Sequence, residues 1–121
     1  MERGEDSELA DELCRAVGKC RRGAVTELAV RLERKQKLHR EELASVLERG
    51  HALFAAAVLS LYGQQPREED REIAAYLAKN LTKTQMMRTI ELLQKYQAEC
   101  VYNVGPGHVL GALAAELEGI L

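Results

Sequence analysis

At 121 residues and 46% hydrophobic side chains, the chain has the size of one domain and enough apolar material for a core. One Phe, four Tyr and no Trp leave that core to Leu, Ala, Val and Ile, and the weight of Leu and Ala predicts an all-α fold of five or six helices. A formal net charge of −2 gives no electrostatic case for a nucleic-acid or membrane partner. No apolar run of about 18 residues stands out as a membrane span. The first residues, Met1-Glu2-Arg3-Gly4-Glu5-Asp6, are unlike a secretion signal. Cys14, Cys20 and Cys100 form no paired framework, which suits buried free thiols in a reducing cytoplasm.

In chain order, Ser7 is placed to cap a first helix whose inward stripe is Leu9, Leu13, Ala16, Val17 and Cys20. Gly18 and Gly23 bracket a basic turn, Lys19 to Arg22. A second helix buries Val25, Leu28, Ala29 and Leu32 and runs into the polar Glu33 to Lys37; Leu38 is expected to act as an anchor before the third helix. The third helix is long, about Arg40 to Tyr62, with Leu43, Val46, Leu47, Leu53, Phe54, Val58 and Leu61 inward. Gly50 interrupts it at a cost of about 1 kcal/mol relative to Ala, which close approach of another helix would explain. Ala52, Ala55, Ala56 and Ala57 make its second half small on every side, the pattern of a central helix.

Gly63-Gln64-Gln65-Pro66 breaks the chain. A short fourth helix, about Glu68 to Lys79, opens on acidic residues suited to the positive end of a helix dipole and buries Ile73, Tyr76, Leu77 and Leu81. Thr82 and Gln85 have the spacing of a capping box, with Leu81 and Met86 as its hydrophobic staple. The fifth helix then carries Met86, Ile90, Leu93, Gln97 and Cys100, widened by Leu92 and Val101, and is expected to stop near Tyr102. Asn103, Val104, Gly105 and Pro106 form the turn. Asn tolerates a left-handed backbone, Gly gives freedom, and Pro suits the first position of the next helix, so the turn is expected to set the angle between the last two helices. The sixth helix aligns Val109, Leu110, Leu113, Leu117 and Leu121.

Little in this pattern carries chemistry. Gly105-Pro106-Gly107 lacks the Lys-Ser or Lys-Thr of a phosphate loop and comes after a helix, so turn geometry accounts for it. His39, His51 and His108 have no His or Cys at ligand spacing. Ser7, Ser45 and Ser60 read as cap or helix residues, and no catalytic, cofactor or metal site is expected. The basic stretch Arg31, Arg34, Lys35, Lys37, Arg40 has the charge to touch phosphates but no interleaved aromatics, and it reads as a solvated surface.

The order of elements also resembles a known family. It comprises two short helices, a long alanine-rich helix ending Leu61-Tyr62-Gly63, a short helix, a capped long helix, Tyr102-Asn103-Val104-Gly105-Pro106 and a leucine-rich last helix. This resembles the C-terminal collar domain of delta prime subunits of the bacterial DNA polymerase III clamp loader. There the turn is closer to Asn-Val-Asn-Pro; Gly105 stands at the second Asn and Gly111 at a following Glu. The resemblance implies a single helical domain over residues 1–121, with the family's nucleotide-binding-type and lid domains outside it. It further implies a non-catalytic role in a ring with delta and gamma or tau, which loads the sliding clamp on DNA at the expense of ATP. The implied contacts are between helical collars: no small-molecule ligand, no membrane, and DNA only indirectly. The collar of gamma or tau, an unrelated helical adaptor, and a small nucleic-acid-binding domain using Arg31 to Arg40 are the alternatives. The partner interface itself is not assigned by the sequence. Apolar residues on more than one stripe of the third and last helices predict a second stripe free for a partner.

Overall fold

In a computed structural model, residues 5–19, 23–34, 40–100 and 106–121 are described, and all structural statements refer to them. Their regular elements are all helical: α1 (Glu5–Gly18), α2 (Ala24–Arg34), α3 (Arg40–Ser60), a 3-10 turn (Glu68–Asp70), α4 (Arg71–Asn80), α5 (Lys83–Glu99) and α6 (Pro106–Ile120). The fold is all-α.

The long helix α3 is the centre. It packs on α1, α4 and α5, and α1 also packs on α4. Its inward side chains Leu43, Leu47, Leu53 and Phe54 are fully buried. The second group is α2 with α6, which pack on each other; α2 also packs on α1, and α6 packs about as much on α5 as on α2. Five helices therefore close a ring, α1–α3–α5–α6–α2, with α4 laid outside it across α1 and α3. Inside the ring an apolar void of about 10 Å³ remains, lined by Leu9, Leu13, Leu28, Leu43, Val46, Leu47 and Leu110. That is at the lower limit for one water molecule, and with no polar wall such a space stays dry.

Two glycine positions explain local geometry. Gly18 ends α1 against α4, where a methyl group would sit 3.4 Å from Leu77 Cδ2 and from the Tyr76 ring. Gly63 has φ +88, the left-handed turn that lets the chain leave α3; its N–H donates to Ser60 O at 3.2 Å.

Several boundaries differ from those expected of the sequence. α1 is helical from Glu5, so Ser7 lies inside its first turn instead of capping it. α3 ends at Ser60, and Leu61 falls in the following turn with about half its surface exposed. The alanine-rich half of α3 is only partly enclosed: Ala57 is buried, Ala55 and Ala56 are half-buried, and Ala52 is exposed. The fourth helix is split, a 3-10 turn leading into α4, and Tyr76 is half-buried. α5 ends at Glu99 with Cys100 as its cap residue, short of Tyr102.

The stripe of α5 is also different. Its buried residues are Met86, Thr89, Leu93, Tyr96 and Cys100, while Ile90 and Gln97 are half-buried. Thr89 is tolerated in the core because its hydroxyl donates to Gln85 O at 2.8 Å. On α6, Val109, Leu110, Leu113, Ala114 and Leu117 are all buried within this chain, so the expected second, free stripe is not there. Leu121 is half-buried.

One helix, α3, is long and apolar enough to cross a membrane by length and composition. In this fold its apolar side chains form the core, and Arg49 at its middle is ion-paired to Asp70.

Candidate interaction surface

The start of α5 is fixed by two reciprocal hydrogen bonds. The Gln85 N–H donates to Thr82 Oγ1 (3.1 Å), and the Thr82 N–H donates to Gln85 Oε1 (2.9 Å). Thr82 is extended (φ −76, ψ 160), which aims its hydroxyl back along the first turn. Leu81 and Met86 on either side are both buried. Only Leu81 and Thr82 separate α4 from α5, so the cap sets the angle at which α5 leaves α4.

α5 and α6 run antiparallel, as residues early in α5 meet residues late in α6. The Tyr96 hydroxyl donates to Glu116, whose carboxylate also accepts from Lys95 Nζ at 3.4 Å. Lys95 Nζ lies 5.0 Å from the centre of the Tyr96 ring. Burial, with the hydrogen bond to Glu116, pushes the Tyr96 hydroxyl up to about 12. The same hydrogen bond, and then Lys95, hold the Glu116 carboxyl below its ordinary value. Beyond this cluster an open groove of about 660 Å³ runs along the two helices between Met87, Arg88, Glu91, Leu92 and Ile120.

A second carboxylate of α6 reaches the other way. Glu118 accepts from the backbone N–H groups of Gly23 (2.8 Å), Val25 (3.1 Å) and Thr26 (3.3 Å). α2 opens on Gly23, at φ +87, with no Ser, Thr, Asp or Asn at its cap. Its free N–H groups are therefore satisfied from another helix. Those bonds, the one from Gly23 foremost, hold the Glu118 carboxyl below its ordinary value.

Exposed apolar side chains gather where α3 ends. Leu59, Leu61 and Tyr62 are 45%, 49% and 62% exposed. Lys83 Nζ lies 4.8 Å from the centre of the Tyr62 ring, tying this rim to the start of α5, where Met87 is exposed one turn on. Isolated apolar side chains at a surface are ordinary; a cluster at one end of a bundle is a place for another helix to pack.

Inside, Arg49 of α3 is ion-paired to Asp70 of the 3-10 turn, with the carboxylate side chain 8% exposed. The Cys14 thiol is buried, and burial, with Asp11 nearby, pushes it well up from its ordinary range. At the surface Arg15 pairs with Glu72 (3.1 Å), and Arg31 pairs with Glu12 (3.2 Å). Arg31 is thus held to α1. The side chains of Arg34, Lys35, Lys37 and Arg40 lie outside the described residues.

Of the residues singled out from sequence, Thr82 and Gln85 make the cap. Asn103, Val104 and Gly105 lie outside the described residues, as do Cys20, Leu38 and His39. Pro106 is the first residue of α6. His51 Nε2 accepts from Gln94 Nε2 at 3.1 Å. Among the described residues no three His, Cys, Asp or Glu side chains converge to hold a metal ion. Sequence reasoning missed Glu118, Tyr96 and Asp70. The signal for Glu118 lay elsewhere, in an α2 that begins without a capping residue.

No protein-family model, curated protein sequence or solved structure matches the chain.

Proposed function

We propose that this chain is a non-catalytic oligomerisation domain of the clamp-loader collar type, most similar in plan to that of delta prime. It helps assemble the ring that loads the sliding clamp on DNA during replication in the cytoplasm. The observation that carries the reading is the capped α5 laid antiparallel against α6 on a long central α3. This agrees with the helix order of the collar domains the sequence resembles. The exposed rim of Leu59, Leu61, Tyr62 and Met87 supplies helix-end apolar surface of the kind that packs against a like domain. Contacts of this size are weak singly and gain from tethering within a ring, where effective concentration is high. Partners in this reading are gamma or tau and delta, met through helical faces. No small-molecule ligand enters, and DNA is reached only through the assembled complex.

The test is co-purification of the chain with gamma or tau and with delta, read by size-exclusion chromatography with light scattering. The expected result is a mixed complex that weakens at least tenfold in the Leu59→Glu, Leu61→Glu double variant, both residues being too exposed for the change to unfold the bundle. Failure to associate with any clamp-loader subunit, tethered or free, refutes the proposal. Association that is indifferent to the double variant refutes the assigned surface.

A further inference from the structure

We infer that α2 and α6 form a two-helix flap, latched by Glu118, that opens as one unit while α1, α3, α4 and α5 stay folded. Three observations lead there. First, the packing divides: α1, α4 and α5 are each built directly on α3, whereas α2 and α6 pack on each other and reach the rest mainly through α1 and α5, α6 lying on α5 about as much as on α2. Second, the seam beneath the pair is apolar. Leu28 of α2 and Leu110 of α6 meet Leu9, Leu13, Leu43, Val46 and Leu47 around the dry void, where some packing contact is missing. Third, the first turn of α2 has no cap of its own and takes its acceptor from α6. One carboxylate of Glu118 accepts from Gly23, Val25 and Thr26, residues 92 to 95 positions away in the chain.

The last observation couples the two helices, so that opening the seam between α6 and α5 carries α2 with it. If α6 leaves, α2 loses the acceptor for its first turn, and its 11 residues are too few to hold a helix in water alone. If α2 leaves, Glu118 loses three donors and α6 loses about half of its packing, keeping its seam with α5 and the Glu116 bond to Tyr96. Opening the pair uncovers a continuous apolar slot between Leu13, Leu43, Val46 and Leu47 on one wall and Leu28 and Leu110 on the other. Such a partial opening belongs to the low end of the stability range within a domain.

Native-state hydrogen exchange of the full chain, followed by mass spectrometry at low urea, tests this. Amides of Leu28 and Ala29 in α2 and of Leu113 and Leu117 in α6 should share one opening isotherm, exchanging at least tenfold faster than amides of Leu47 and Leu53 in α3. Glu118→Ala should accelerate both helices of the flap by the same factor, tenfold or more. α3 should remain the better protected, and Glu118→Gln, which keeps one acceptor, should fall between. Equal protection of α2, α6 and α3 in the wild-type chain overturns the inference without any variant. So does exchange of α2 and α6 by separate isotherms, or exchange in the flap that is unmoved by Glu118→Ala.

Discussion

Gly50→Ala should stabilise this protein. Gly50 lies within α3, buried, in a helix of 21 residues. A methyl group built there meets Leu93 Cδ1 at 3.6 Å and Leu13 Cδ2 at 3.9 Å, both ordinary van der Waals distances. The neighbouring helices therefore leave room for one carbon, and close approach does not require the glycine. Replacing an interior helix glycine by alanine is worth about 1 kcal/mol, and burying one more carbon adds at most about 0.8 kcal/mol. The expected gain is about 1–2 kcal/mol, or a rise in Tm of roughly 3–8 °C for a domain of this size. Gly50→Leu, which pushes three further carbons into Leu93 and Leu13, should instead cost about 1–3 kcal/mol. Thermal and urea unfolding followed by circular dichroism at constant m-value is the assay. A Tm for Gly50→Ala equal to or below that of the wild-type chain refutes the reasoning, because it would mean the α3–α5 gap is tighter than a methyl group.

Thr82→Ala should cost about 1 kcal/mol by leaving the Gln85 N–H without its acceptor, measurable as a drop in urea midpoint; Thr82→Ser should restore most of it. Asp70→Ala strands the Arg49 guanidinium, itself only 24% exposed. It should cost about 2–4 kcal/mol, and adding Arg49→Met should recover a large part, a non-additivity read from a double-mutant cycle. The folded carboxyls of Glu116 and Glu118 lie below their ordinary value of 4.5, so the stability they contribute is fully present above that value. It is lost as pH falls through the folded values. The Tm difference between wild type and Glu118→Gln should be constant from neutral pH to about 5 and close as the solution is made more acid. Tyr96 carries the opposite sign. Its hydroxyl, raised from 10.0 to about 12, contributes stability below pH 10 that disappears as pH rises through 12, so Tyr96→Phe should lose its disadvantage there.

Apolar spacing is enough to read the helices because each one buries a stripe, and Leu13, Val17, Leu43, Leu47, Leu77, Leu93, Leu113 and Leu117 all fall inward as their spacing requires. The capping pair is equally readable, since both halves of the box lie within one helical turn. The features that escape a sequence reading are polar and long-range. Glu118 looks like a solvated helix glutamate until α2 is seen to begin uncapped beside it. The hydroxyls of Tyr96 and Thr89 suggest a surface, yet each finds an acceptor in or beside its own helix pair. The expected spare stripe on α6 comes from counting leucines without knowing that α2 lies across from α5. α6 has two neighbours already, and both of its apolar stripes are used.

The buried thiol of Cys14 makes the chain its own clock. Thiol reagents attack the thiolate, and at Cys14 that form is suppressed by burial and by the Asp11 carboxylate. Cys14 belongs to α1, in the part of the molecule that stays closed when α2 and α6 lift. Alkylation at this position, resolved from the other cysteines by peptide mapping, therefore counts the events in which α1 parts from the helices packed on it. A reagent added to the native protein will record how often the centre of the molecule comes undone, and that record needs no probe beyond an atom the sequence already carries.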